Sequence, residues 1–91
     1  MIRTFRSKAL EELFRTGGSR KVRSDLIKRT IQVLDILHAA KSLADLNIPG
    51  LRYHPLKGKP LRHALAVNGP WRVTFAWKDG DVDAVDLEQY H

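Results

Sequence analysis

Residues Trp71-Arg72-Val73-Thr74-Phe75-Ala76-Trp77 alternate large apolar side chains with smaller or polar ones. A period of two is the pattern of a β-strand with one face in a core. Trp71, Val73, Phe75 and Trp77 share one face, and Arg72, Thr74 and Ala76 share the other. Turn chemistry brackets the stretch, with Asn68-Gly69-Pro70 before it and Asp79-Gly80 after it. Both turns suit antiparallel neighbours. The stretch therefore predicts the central strand of an antiparallel sheet, apolar face inward and Arg72 on the opposite face.

The flanking chain supplies the neighbours and the covering layer. Ala64 to Asn68 reads as the preceding strand and Asp81 to Leu87 as the following one. Residues 51–63 are basic and broken by Pro55, Gly58 and Pro60. Proline cannot donate to a ladder, so this segment reads as a loop or an irregular edge strand. Met1 to Phe5 alternates and suggests a short strand at a sheet edge. Ser7 is placed to cap a helix carrying Leu10, Leu13 and Phe14 on one side, and Gly17-Gly18 ends it. Ser24 or Asp25 is placed to cap a longer helix to about Ala40, with Ile27, Ile31, Leu34 and Leu37 or His38 as its stripe. Leu26 and Val33 widen that stripe. Ser42 with Asp45 resembles a capping box for a single turn. The order β-α-α-β-β-β predicts an α+β fold, two N-terminal helices on one face of a small antiparallel sheet.

With 91 residues, an apolar share of 43%, 4 Pro and 6 Gly, the chain fits one globular domain, residues 1–91. No cysteine is present, which excludes disulfides and thiolate metal sites and suits a reducing cytoplasm. The longest unbroken apolar run is Ala64 to Val67. A bilayer span needs about 20 apolar residues and a signal-peptide core about 7–15, so neither a membrane span nor a leader is expected. Net charge is +6, from 16 Lys+Arg against 10 Asp+Glu, which favours a polyanionic partner. The charge is segregated. Arg52, Lys57, Lys59, Arg62 and Arg72 occur without an intervening acid, whereas Asp79 to Glu88 carries acids only.

HExxH, P-loop and GxSxG patterns are absent, and no pair of the four histidines has helical i, i+4 spacing. No cofactor or metal is expected. His54-Pro55-Leu56-Lys57-Gly58 places an imidazole and an ammonium on a stiffened segment. Arg72 stands on the central strand, and Tyr90-His91 follows the last one. If the last strand lies beside the central one, these groups converge. Imidazoles exchange protons near neutral pH, and Lys and Arg hold phosphate. RNA carries its own nucleophile in the 2′-OH, so this inventory suits metal-independent RNA cleavage; the plainer alternative is a solvated basic surface on a small α+β domain.

Met1-Ile2-x-x-Phe5, Tyr53-His54-Pro55-Leu56-Lys57-Gly58, Val67-Asn68-Gly69-Pro70-Trp71-Arg72-Val73-Thr74-Phe75 and the terminal Tyr90-His91 together resemble the HigB toxins of the RelE/ParE superfamily. The resemblance spans the whole chain. It implies a ribosome-dependent mRNA endonuclease of a type II toxin-antitoxin system, cytoplasmic and without a membrane partner. Its partners would be a HigA-like helix-turn-helix antitoxin, the ribosome and mRNA, with DNA reached only through the toxin-antitoxin complex. The family's catalytic residues match His54, Lys57, Arg72, Tyr90 and His91. Arg20, Lys21, Arg23, Lys28 and Arg29 on the helix side, with Lys59 and Arg62, would grip RNA. Relatives often carry aspartate where Gln89 stands, and Glu88 is expected to point to the other strand face. Two alternatives share this sequence reading: a gyrase-inhibiting toxin on the same scaffold, and a non-enzymatic RNA- or ribosome-binding module.

Overall fold

The computed structural model describes residues 1–90; His91 lies outside the described residues. Two helices precede a four-stranded antiparallel sheet: α1 (Lys8–Thr16), α2 (Ser24–Ala39), β1 (His54–Leu56), β2 (Arg62–Ala66), β3 (Trp71–Lys78) and β4 (Asp81–Gln89). The strand order is β1-β2-β3-β4, so β3 is interior, as its sequence requires. Val73 and Phe75 are fully buried on its apolar face, and Trp71 and Trp77 pack against the core, partly buried. Leu65 of β2 and Val82 and Val85 of β4 complete the sheet's contribution. From the other layer come Leu10 and Leu13 of α1 and Leu26, Val33, Leu34 and Leu37 of α2.

Local chemistry sets the helix ends. Ser7 Oγ accepts from the Leu10 N–H at 3.1 Å, satisfying one of the free donors of the first turn. Gly17 takes φ 84°, and its N–H donates to Leu13 O at 2.8 Å. That left-handed geometry is open to glycine without a Cβ penalty. The Ser42–Asp45 capping box forms, with Asp45 Oδ2 accepting from the Lys41 and Ser42 N–H groups at 2.8 and 3.1 Å.

Four local expectations are corrected. Neither Ser24 nor Asp25 caps α2; Arg23 occupies that position without a side-chain cap bond. Asp25 is held instead by the Arg23 guanidinium at 3.1 and 2.7 Å, and an ion-paired carboxylate is not free to cap. The buried stripe of α2 runs Leu26, Thr30, Val33, Leu34 and Leu37, leaving Ile27 and Ile31 half-buried. The helix is rotated toward the side where Leu26 and Val33 meet the sheet. β2 starts two residues earlier than the apolar run, at Arg62, because β1 pairs with it through Leu56↔Arg62. The amino terminus forms two isolated parallel bridges, Ile2↔Val82 and Phe5↔Val85, instead of a strand.

β4 contains a bulge. Thr74 faces Asp86 and Ala76 faces Asp83, so β4 holds one residue more than β3 between these pairs. Ala84 takes φ 51°, a rare conformation for a residue with a Cβ. Two contacts fix it there. Its N–H donates to Thr4 Oγ1 at 2.8 Å, and its carbonyl accepts from Arg62 Nη2 at 2.8 Å. The extra residue flips the side-chain alternation for the rest of β4. Among the described residues no helix is long and apolar enough to cross a membrane.

Candidate active site

The sheet face turned away from the helices carries the polar residues. Arg72 of β3 faces Glu88 of β4, and Ala64 of β2 lies between His54 of β1 and Thr74 of β3. A cleft of about 570 Å³ opens here, lined by Arg52, Tyr53, His54, Leu56, Ala64, Arg72 and Tyr90. A second groove of about 440 Å³ adjoins it, lined by Arg6, Lys57, Lys59 and Arg62 among others. Leu56 and Tyr90 form a wall common to both hollows.

Each side chain owes its place to a specific contact. The Tyr90 N–H donates to Pro70 O at 2.7 Å, tying the end of the chain to the turn before β3. Arg72 is half-buried, and its Nη1 donates to Gly69 O and Trp71 O at 2.6 and 2.8 Å. This folds the guanidinium over the same turn and leaves its other nitrogen atoms for the cleft. His54 is exposed on the edge strand, and its ring makes no hydrogen bond among the described residues.

Beneath the cleft lies a polar network that sequence reading missed. Thr74 is fully buried, and its hydroxyl donates to Glu88 Oε2 at 2.5 Å. Tyr90 Oη donates to the same carboxylate oxygen at 3.4 Å. Arg62 Nη2 reaches Thr74 Oγ1 at 3.0 Å. Burial, followed by the Glu88 charge, pushes the Tyr90 phenol above its ordinary pKa, so the hydroxyl is kept as a donor. Burial and the neighbouring Arg6 charge lower Arg62. Glu88 and Gln89 face opposite ways as expected, but Glu88, opposite Arg72, is the one on the site face, and Gln89, opposite Trp71, is not. The bulge at Ala84 put Glu88 there. The signal was the spacing of Val82 and Val85, three apart, which breaks strict alternation.

The structure brings His54, Arg72 and Tyr90 into one cleft and Lys57, Lys59 and Arg62 into its neighbour. His91 lies outside the described residues. Arg20, Lys21, Arg23, Lys28 and Arg29 line neither hollow. Arg23 is paired with Asp25 and sits over the Trp71 ring at 5.9 Å, and Arg29 donates to Gly50 O at 3.0 Å. Arg52 and Tyr53, though they lie in the basic segment and the family-like motif, join the cleft unforeseen. Among the described residues no three His, Cys, Asp or Glu side chains converge as metal ligands.

Residues 3–91 match the family described as "RelE-like toxin of type II toxin-antitoxin system HigB". The chain belongs to the HigB-like toxin family. It is 32% identical over 92 residues to the Endoribonuclease HigB of Proteus vulgaris, with 100% of each chain covered. The match includes the strands that line both hollows, so the site described above sits within the region that defines this HigB-like chain.

One group behind the cleft couples the fold to pH. His63 is buried on the helix face of β2, stacked on Phe75, and shares a 2.8 Å hydrogen bond with Tyr53 Oη. Burial, then the Arg62 charge, lowers its pKa from 6.5. The unfolded chain therefore takes up a proton that the folded chain resists as pH falls below about 6.5. The His63 contribution to stability is fully present above that pH and is lost as pH drops through the folded value. Asp45 and Asp81, also lowered, act only below about pH 4. Urea midpoints should fall between about pH 7 and pH 5 in the wild type and stay flat in His63→Phe. An unchanged slope in that variant would assign the effect elsewhere.

Proposed function

We propose that this HigB-like chain is an endoribonuclease that cuts mRNA on the ribosome. One observation carries the reading: the imidazole of His54 on β1, the guanidinium of Arg72 on β3 and the phenol of Tyr90 just after β4 line one cleft, with further cations in the adjoining groove. The relative from Proteus vulgaris bears the name of an endoribonuclease, which supports the same reading.

In the mechanism we favour, a base removes the 2′-OH proton and the oxygen attacks the adjacent phosphorus. The bond from phosphorus to the 5′ oxygen breaks, and an acid protonates that oxygen. The products are a 2′,3′-cyclic phosphate and a 5′-hydroxyl end. His54 and His91 are the proton carriers. Arg72 and Lys57 hold the phosphate and offset the charge that builds on it. Tyr90, kept protonated above Glu88, donates a hydrogen bond to the reacting group or stacks on a base. RNA supplies its own nucleophile, so this route needs no metal.

The partners follow the same reading: the ribosome and mRNA as target, a HigA-like helix-turn-helix antitoxin as inhibitor, and the cytoplasm as location. Mapping mRNA 5′ ends after brief induction tests it. New 5′-hydroxyl ends inside reading frames should accumulate in the wild type and disappear in His91→Ala. Ribosome binding without new ends would leave a binding module, and loss of supercoiling activity instead would indicate a gyrase-directed toxin.

A further inference from the structure

The second groove contains more positive charge than a scissile phosphate needs. Arg6 enters it from the amino-terminal segment, Lys57 and Lys59 from the β1–β2 loop, and Arg62 from β2, with Gly58, Pro60, Leu56 and Tyr90 as the remaining walls. No acid lines it. Among the described residues Arg3, Arg15 and Arg23 are paired with carboxylates, whereas Arg6, Lys57 and Lys59 are not. Carboxylates are close at hand: the Glu88 and Asp86 charges act on Arg62. The fold spends Glu88 on Thr74 and Tyr90 and leaves the groove open to an outside anion.

Like charges gathered at a surface repel one another, and an anionic ligand removes that cost. Burial, then the Arg6 charge, disfavours the charged form of Arg62, and Glu88 and Asp86 offset this only in part. The Arg62 guanidinium is also fixed, bonded to Thr74 and the Ala84 carbonyl, so one cation of the four is held in place before any ligand arrives.

Resting on the endoribonuclease reading, we propose that this groove binds the RNA phosphate next to the scissile one, with Arg6 and Lys59 as its exposed contacts and Arg62 as its fixed base. Leu56 and Tyr90 separate the two hollows and belong to both. A single strand crossing that wall places one phosphate against Arg72 and the next among Arg6, Lys59 and Arg62. The subsite recognises backbone and not sequence, because phosphate contacts position the strand without reading bases. It gives the enzyme a second anchor that stops the substrate from rotating about the scissile phosphate.

The test uses the full chain and a short RNA carrying 2′-O-methyl groups, which cannot be cleaved. Amide resonances are followed during titration with this RNA and, separately, with inorganic phosphate. The RNA should shift Arg6 and Lys57 to Arg62 together with His54 and Arg72. Arg6→Ala and Lys59→Ala should each lower the slope of log affinity against log salt by about 0.7, the loss of one single-strand phosphate contact. Both side chains are exposed, and unchanged thermal melting will show that the variants fold. Shifts at His54 and Arg72 with none at Arg6 and Lys59, or salt slopes unchanged in both variants, would overturn the subsite while leaving the cleavage reading intact. Failure of the RNA to shift any of these residues would overturn it as well. Conversely, RNA shifts at the groove without new mRNA ends in cells would keep the subsite and remove the enzyme. Phosphate alone perturbing the groove, with RNA ineffective, would mark a free-anion site and reject the RNA assignment.

Discussion

His54→Ala should lower mRNA cleavage on programmed ribosomes by about 10²–10⁴-fold, the usual contribution of one general acid–base group. The loss should come without a loss of fold. His54 is exposed on the edge strand β1, and its ring bonds to nothing else among the described residues, so removing it leaves no buried group without a partner. Surface changes of this kind alter stability by no more than about 0.5 kcal/mol. Thermal melting should therefore match the wild type while the single-turnover rate collapses. His54→Gln keeps the size and the hydrogen bonding but cannot exchange a proton. It should lose activity to a similar extent and flatten one limb of the pH–rate profile. A drop of less than tenfold in both variants would remove His54 from the chemistry and leave it a contact residue.

Phe75→Ala should be the most damaging single truncation of the core. Phe75 is fully buried at the middle of the interior strand β3, with His63 stacked against it at 5.3 Å. Replacing a buried phenylalanine with alanine costs about 3–5 kcal/mol, from lost transfer energy and the cavity left behind. A domain of this size has roughly 5–15 kcal/mol in all. Each kcal/mol moves the midpoint by about 4–8 °C at this length, so melting should fall by at least about 12 °C. The same cavity opens under His63 and Tyr53, which back the cleft, so cleavage should fail at temperatures where the wild type works. Ile48→Ala, at a side chain 41% exposed, is the matched control and should change stability by no more than about 0.5 kcal/mol. A melting loss under about 4 °C for Phe75→Ala would show that β3 is not the strand on which the core depends.

Much of the fold was legible because its signals are local. Period-two alternation marked β3, Asn68-Gly69 and Asp79-Gly80 marked its turns, and Ser7 and Gly17 marked the limits of α1. Such preferences act over a few residues, and the structure agrees with them there. The α2 cap was misread because Asp25 has a competing partner, Arg23. Among the candidate residues, His54, Lys57, Arg72 and Tyr90 were noticed for their chemistry, and three of them line the cleft. Arg6 has no local mark, and Arg52 and Tyr53, though they lie in the basic segment and the family-like motif, join the cleft only through the tertiary structure.

The sequence alone determined the strand at the centre, the two helices that cover it, the excess of positive charge and the residue types available for phosphate chemistry. These depend on neighbours within a turn or a strand. Tertiary structure alone decided which of those residues share a hollow. The bulge at Ala84 reversed the facing of Glu88, and pairing of β1 with β2 carried His54 toward Arg72. Packing of the amino-terminal segment along β4 brought Arg6 beside Arg62. Register and bulges are set by hydrogen bonds between distant segments, and one added residue turns every later side chain to the opposite face.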